Sequence, residues 1–193
     1  MRPTKSMLHA LCFVFCILTG LSSRPACGVE PVSSWMNLSQ LTFNVPDASG
    51  LKEYLGLKEQ TSFTLVQIPA KLILIECLDL DRPNFDEQAA VAIELYTFIQ
   101  KDPALSKEIK IIGICASKKL KETEVHRDEF LFPFPLFIDP DCCFHNMFGS
   151  PRTPFTLLVS NDGRVLCIYY NVVKDVDEFL CHIKRFYKEQ CRQ

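Results

Sequence analysis

Arg152-Thr153-Pro154-Phe155-Thr156-Leu157-Leu158-Val159-Ser160-Asn161-Asp162-Gly163-Arg164-Val165 is the stretch that decides the fold. Phe155 to Val159 forms a short run of apolar and β-branched residues, and Val165 to Tyr170 forms a second. Between them, Asn161-Asp162-Gly163 supplies residues that accept positive φ, so the stretch predicts two antiparallel strands joined by a hairpin. Upstream, Leu72-Ile73-Leu74-Ile75-Glu76-Cys77-Leu78 is nearly continuous in apolar character, as expected of a strand covered on both faces.

The segment between these strands supplies the connections. Phe85, Ala89, Ala92, Ile93, Tyr96 and Ile99 recur at helical spacing, and Lys101-Asp102-Pro103 ends that helix. Ile109 to Cys115 reads as a second buried strand, so strand, helix and strand predict a right-handed crossover between parallel strands. A polar stretch from Lys118 to Phe130 is expected to be helical. The last helix places Val176, Phe179, Leu180, Ile183, Phe186 and Tyr187 on one face, with Asp175 as its cap and Glu178 three residues later. The order β-α-β-α-β-β-α predicts an α/β domain whose central mixed sheet has a parallel part and a C-terminal antiparallel hairpin, flanked by helices.

That order, together with particular residues, resembles thioredoxin-fold redoxins. Thr153-Pro154 entering a strand that ends in a polar-Asp-Gly turn is similar to the segment in which those proteins hold a cis proline facing the active site. The resemblance implies a cis Thr153-Pro154 bond. Phe132-Pro133-Phe134-Pro135-Leu136-Phe137-Ile138-Asp139-Pro140-Asp141 resembles the family's Phe-Pro-Leu-x-x-Asp-Pro-Asp stretch, Gly149 fits ahead of the proline loop, and Lys71 to Asp79 resembles the strand that delivers the active site. The likeness spans roughly residues 40 to 190 and points to exported thiol-disulfide oxidoreductases of the TlpA type, with peroxiredoxins more distant. Where such proteins carry Cys-Pro-x-Cys, this sequence has Arg82-Pro83-Asn84-Phe85. A cysteine at a helix N-terminus is activated by the backbone N–H groups, and its neighbour resolves the mixed disulfide. Neither Arg82 nor Phe85 forms a thiolate, so two-cysteine exchange at that turn is excluded.

The remaining sequence sets the context. Arg2 and Lys5, the apolar run Met7–Leu18, and the small residues of Thr19–Ser23 predict an export signal over 1–23, cleaved or retained as an anchor; a lipid on Cys27 is a weaker reading because Arg24-Pro25-Ala26 precedes it. Residues 24–45 are expected to be a loose lead-in and 46–191 the folded domain. The protein is thus expected to be periplasmic or secreted, with membrane contact only through such an anchor. The net charge of −2 gives no basic face for nucleic acid.

Eight cysteines follow the signal. Cys77, Cys115 and Cys167 lie in strand-like runs and are expected to be packed thiols, whereas Cys27, Cys142, Cys143, Cys181 and Cys191 are the disulfide or redox candidates. Direct pairing of Cys142 with Cys143 is disfavoured by the short distance between neighbouring Cα atoms. No metal is expected, because Cys142, Cys143 and His145 fall short of four ligands. His126, His145 and His182 make no nucleophile-base-acid arrangement, and there is no phosphate loop or sign of another cofactor. The expected function is a non-catalytic binding or scaffold role. A groove formed by Arg82, Pro83, Asn84, Phe85, Thr153 and Pro154 would hold a protein or peptide partner. The alternatives are a thiol-dependent oxidoreductase or peroxidase-like enzyme using Cys142 or Cys143, and an envelope component linked through intermolecular disulfides.

Overall fold

The fold is described from a computed structural model over residues 29–31, 36–79, 82–116, 132–149 and 153–192. The expected signal, Cys27, the stretch 118–130 with His126, and Arg152 lie outside the described residues. The elements are β1 (Val29–Pro31), β2 (Thr42–Asn44), α1 (Ser49–Tyr54), β3 (Ser62–Thr64), β4 (Leu72–Asp79), α2 (Phe85–Lys101), α3 (Leu105–Glu108), β5 (Ile109–Ala116), β6 (Leu136–Ile138), α4 (Cys143–Met147), β7 (Phe155–Ser160), β8 (Val165–Tyr170) and α5 (Val176–Gln190). Six strands form one sheet in the order β1-β8-β7-β4-β5-β6, and β2 and β3 make a separate antiparallel ribbon. β4 is parallel to β5, β5 is parallel to β6, and the pairings of β4 with β7 and β7 with β8 are antiparallel. The expected mixed sheet is therefore present, with its hairpin at β7–β8.

The apolar run of β4 is explained by what covers it. Leu72, Leu74 and Leu78 point to one face, where they meet Phe85, Ala89, Ala92, Leu95 and Ile99 of α2 and a core shared with Phe179, Leu180 and Ile183 of α5. Ile73, Ile75 and Cys77 point to the other, against Phe63, Leu65, Phe144, Phe155 and Leu157. The period of two along a strand sends successive residues to opposite layers, so a strand buried on both sides must be apolar throughout. α2 ends at Lys101, as the Asp102-Pro103 stop requires. α5 begins where Asp175 Oδ1 accepts from the Glu178 N–H at 2.9 Å.

The amino-terminal part differs from the expected loose lead-in. β1 pairs with β8, Asn37 bridges to Arg164, and Met36, Leu38 and Phe43 are buried in the second core. Three apolar side chains in a polar stretch are too few to show a period, yet they close the layer opposite α2. Gly163 makes this contact possible: its φ is +86° and a Cβ there would lie 2.5 Å from the Ser39 nitrogen, while its carbonyl accepts from Leu38 N at 2.7 Å. A Cβ at Gly50, in α1, would meet nothing within 4 Å. Substitution Gly163→Ala is expected to lower stability by more than about 1 kcal/mol, whereas Gly50→Ala leaves it equal or raises it by about 0.5 kcal/mol. Urea unfolding midpoints of the two variants check this; equal shifts would contradict the packing of Gly163 on Ser39.

Candidate functional site

β4 leads towards the turn that starts α2, and one carboxylate at its end organises the region. Asp79 Oδ2 accepts from Arg82 Nε at 3.2 Å and from Thr153 Oγ1 at 3.2 Å. Two backbone bonds shape the turn itself: Arg82 N donates to the Asp79 carbonyl at 3.2 Å, and Phe85 N donates to the Arg82 carbonyl at 3.1 Å. The Thr153–Pro154 peptide is cis, as the resemblance implied. Arg82, Pro83, Asn84, Thr153 and Pro154 are thus brought into one region, with Arg82 and Pro83 exposed, Asn84 and Thr153 half-buried and Pro154 buried. Phe85 departs from expectation. It is 5% exposed and belongs to the core beneath α2, so its ring is not a groove surface. Its spacing with Ala89 and Ala92 places it on the inner face of the helix.

Directly behind the turn lies a polar cluster that the sequence reading missed. Glu76, Gln88 and Thr156 are all fully buried. Glu76 Oε2 accepts from Thr156 Oγ1 at 2.9 Å and from Gln88 Nε2 at 2.5 Å. Glu76 Oε1 and Gln88 Oε1 have no hydrogen-bond partner among the described residues. Burial pushes the Glu76 carboxyl up to about 7, against the lowering effect of the Thr156 and Gln88 hydrogen bonds. The available signal was a single acid on the α2-facing side of β4, in step with Leu72, Leu74 and Leu78.

On the opposite face of the sheet, α4 is held by Asp139. Its carboxylate accepts from Phe144 N at 3.2 Å, His145 N at 3.1 Å and His145 Nδ1 at 2.7 Å. Burial alone would raise this carboxyl, but the hydrogen bonds from the His145 side chain and from the His145 and Phe144 backbone hold it below the usual range. The His145 ring meets Phe155 edge-on at 5.7 Å, and Phe148 lies 5.8 Å from Phe155, so α4 packs beside the residue that follows Pro154.

The cysteines divide by layer. Cys77, Cys115 and Cys167 are buried, and burial pushes the Cys77 thiol well up and the Cys167 thiol to about 12. These are packed thiols, as expected. Cys142 caps α4 with a left-handed φ of 52° and is half-buried, while Cys143, Cys181 and Cys191 are exposed. All seven described cysteines are free thiols, so the disulfide candidates Cys142, Cys143, Cys181 and Cys191 are not bridged here. Among the described residues, no three His, Cys, Asp or Glu side chains are grouped so as to hold a metal ion.

The raised Glu76 carboxyl has a defined consequence for stability. With an ordinary value of 4.5 and a folded value of about 7, its contribution is fully present below about pH 4.5 and is lost as pH rises through 7. The loss is on the order of 3 kcal/mol. Glu76→Gln removes this titration. The variant is expected to gain stability relative to the parent between pH 5 and pH 8, by urea unfolding at each pH; a constant difference across that range would contradict a raised carboxyl.

No protein-family model matches the sequence, and no curated protein matches it. Solved structures do match. The thioredoxin domain of a thiol-disulfide oxidoreductase from Bacteroides vulgatus superposes with a TM-score of 0.57 at 11% identity, covering 79% of this chain and 98% of the other. A pneumococcal exposed lipoprotein thioredoxin from Streptococcus pneumoniae gives 0.54 at 9% identity, covering 65% and 92%. A secreted thiol-disulfide isomerase from Corynebacterium glutamicum gives 0.52 at 12% identity, covering 64% and 74%. With its β4–α2 turn tied to the cis Thr153–Pro154 bend and its mixed sheet flanked by helices, the chain has the thioredoxin-like fold found in these thiol-disulfide proteins.

Proposed function

We propose that this chain is an exported, thioredoxin-like binding or scaffold protein that performs no thiol-disulfide turnover at the Arg82–Phe85 turn. The observation that carries the proposal is the Asp79 link, which joins the turn at Arg82 to Thr153 at the cis bend in a frame with no sulfur in the turn. Cys77, the cysteine nearest to the turn in sequence, is buried and its thiol is held neutral by its surroundings. The rim of exposed Arg82 and Pro83 with half-buried Asn84 and Thr153 suits an extended segment of a protein partner, which would be held by main-chain pairing beside the bend. Export is supported by the basic start, the apolar run Met7–Leu18 and the small residues that follow. It is also supported by structural neighbours described as secreted or as an exposed lipoprotein.

An insulin-reduction assay with dithiothreitol tests the reading. The parent chain is expected to show no acceleration over dithiothreitol alone, and clear turnover would reject a non-catalytic role. Arg82→Cys combined with Phe85→Cys rebuilds Cys-Pro-Asn-Cys at the helix start. That folded double variant is expected to gain measurable reductase activity; its remaining inert would show that the turn is not equivalent to the redox turn of the relatives.

A further inference from the structure

The outer face of α5 carries charge that the fold leaves largely without carboxylate partners, although the Arg185 guanidinium lies over the Phe186 ring at 5.5 Å. Cys181, Lys184, Arg185, Lys188, Glu189 and Arg192 line a solvent-open cleft of about 340 Å³. Their spacing of three and four residues places them along one side of the helix. All four cations are exposed, and none forms an ion pair with a carboxylate among the described residues. The helix dipole favours cations within the final turn, which accounts for Lys188 but not for Lys184 and Arg185 beside Cys181. Acidic residues are kept at the other end of the helix, at Asp175, Asp177 and Glu178, leaving Glu189 as the one carboxylate in the cleft. The chain as a whole has a net charge of −2, so this face runs against the overall balance. None of the large apolar side chains exposed among the described residues (Val66, Phe98 and Met147) lies on α5, which removes the apolar contact that a membrane-surface helix needs.

We propose that this cleft binds a low-molecular-weight disulfide bearing carboxylates, and that Cys181 is the residue to which one half of that molecule becomes joined. The cations hold the carboxylates, and the exposed thiol stands at the end of the same stripe. The Cys181 thiol gives its proton to solvent, and its sulfur attacks one sulfur of the bound disulfide. The incoming S–S bond breaks, a Cys181–S–S–R bond forms, and the other half leaves as a thiolate that takes up a proton. Cys181 is oxidised and the departing half is reduced, so the disulfide itself supplies the oxidising equivalents.

The chain contains its own controls. Cys143 and Cys191 are also exposed, but neither lines the cleft. The full-length chain, first reduced, is treated with oxidised glutathione and the modified peptides are followed by mass spectrometry. Cys181 is expected to react about tenfold faster than Cys143 or Cys191 at low salt, in line with electrostatic enrichment of an anionic reactant. The preference is expected to shrink at high salt, with the neutral 2-hydroxyethyl disulfide, and in the triple variant Lys184→Gln, Arg185→Gln, Lys188→Gln. Equal rates at the three thiols would overturn the proposal, as would a Cys181 preference unchanged by salt, by the neutral disulfide or by loss of the cations.

Discussion

The Asp79 carboxylate is the point from which the geometry of the candidate site is set, because a single oxygen serves both strand-end neighbours. Its worth lies in placement more than in energy. The Arg82 side chain is 55% exposed, so this ion pair contributes no more than about 1 kcal/mol. The Thr153 hydroxyl is more enclosed, and it comes from a segment 74 positions away in sequence. Joining the two fixes where the first turn of α2 stands relative to the cis bend, while the backbone bonds from Arg82 and Phe85 fix the shape of the turn itself. β4 can deliver this carboxylate reliably because it is paired with neighbouring strands on both edges, β5 on one and β7 on the other.

Beneath this frame the protein keeps a buried acid that the packing alone does not require. A carboxyl with one oxygen doubly bonded and the other unpartnered costs desolvation energy that an apolar side chain of similar volume would not. Burial limits that cost by raising the carboxyl to about 7, so that the neutral form predominates below that pH. Gln88 and Thr156 then confine it to one orientation, and through Gln88 the first turn of α2 is tied to β4. The site is therefore built in two levels: a solvent-facing link through Asp79 and an enclosed one through Glu76, both carried by the same strand three residues apart.

The long elements were legible in the sequence because their burial is regular. The continuous run in β4, the helical spacing in α2 and α5, and the Asn161-Asp162-Gly163 turn each express one physical demand over many positions. β1, β2, β3 and β6 are only three residues long, too short to display a period, and Met36, Leu38 and Phe43 reveal their burial only once the opposite layer exists. Within the site, the turn and the cis bend followed from the resemblance to thioredoxin-fold redoxins that the local motifs carry. The Asp79–Thr153 and Glu76–Thr156 contacts did not, since they depend on the register by which β4 meets β7. Phe85 carried two readings at once, groove residue by position and core residue by spacing, and packing favoured the second.

The placement of sulfur separates two kinds of surface on one small fold. The cysteines of the strands are consumed by the core, where a thiol acts as a small apolar group. The exposed ones are on helices α4 and α5 or directly after α5, and the cationic cleft occupies the carboxyl-terminal half of α5. α2 and α5 begin side by side, as the contact of Lys174 with Glu87 shows, so the amino-terminal end of α5 is the one near the candidate groove. Lys184 lies about 12 Å along the helix axis from Val176, at the rise of 1.5 Å per residue. A peptide held across the turn and a small anion held on α5 would therefore contact different ends of the helix. Occupation of one does not obstruct the other, and thiol chemistry on this chain need not pass through the place where its fold usually keeps it.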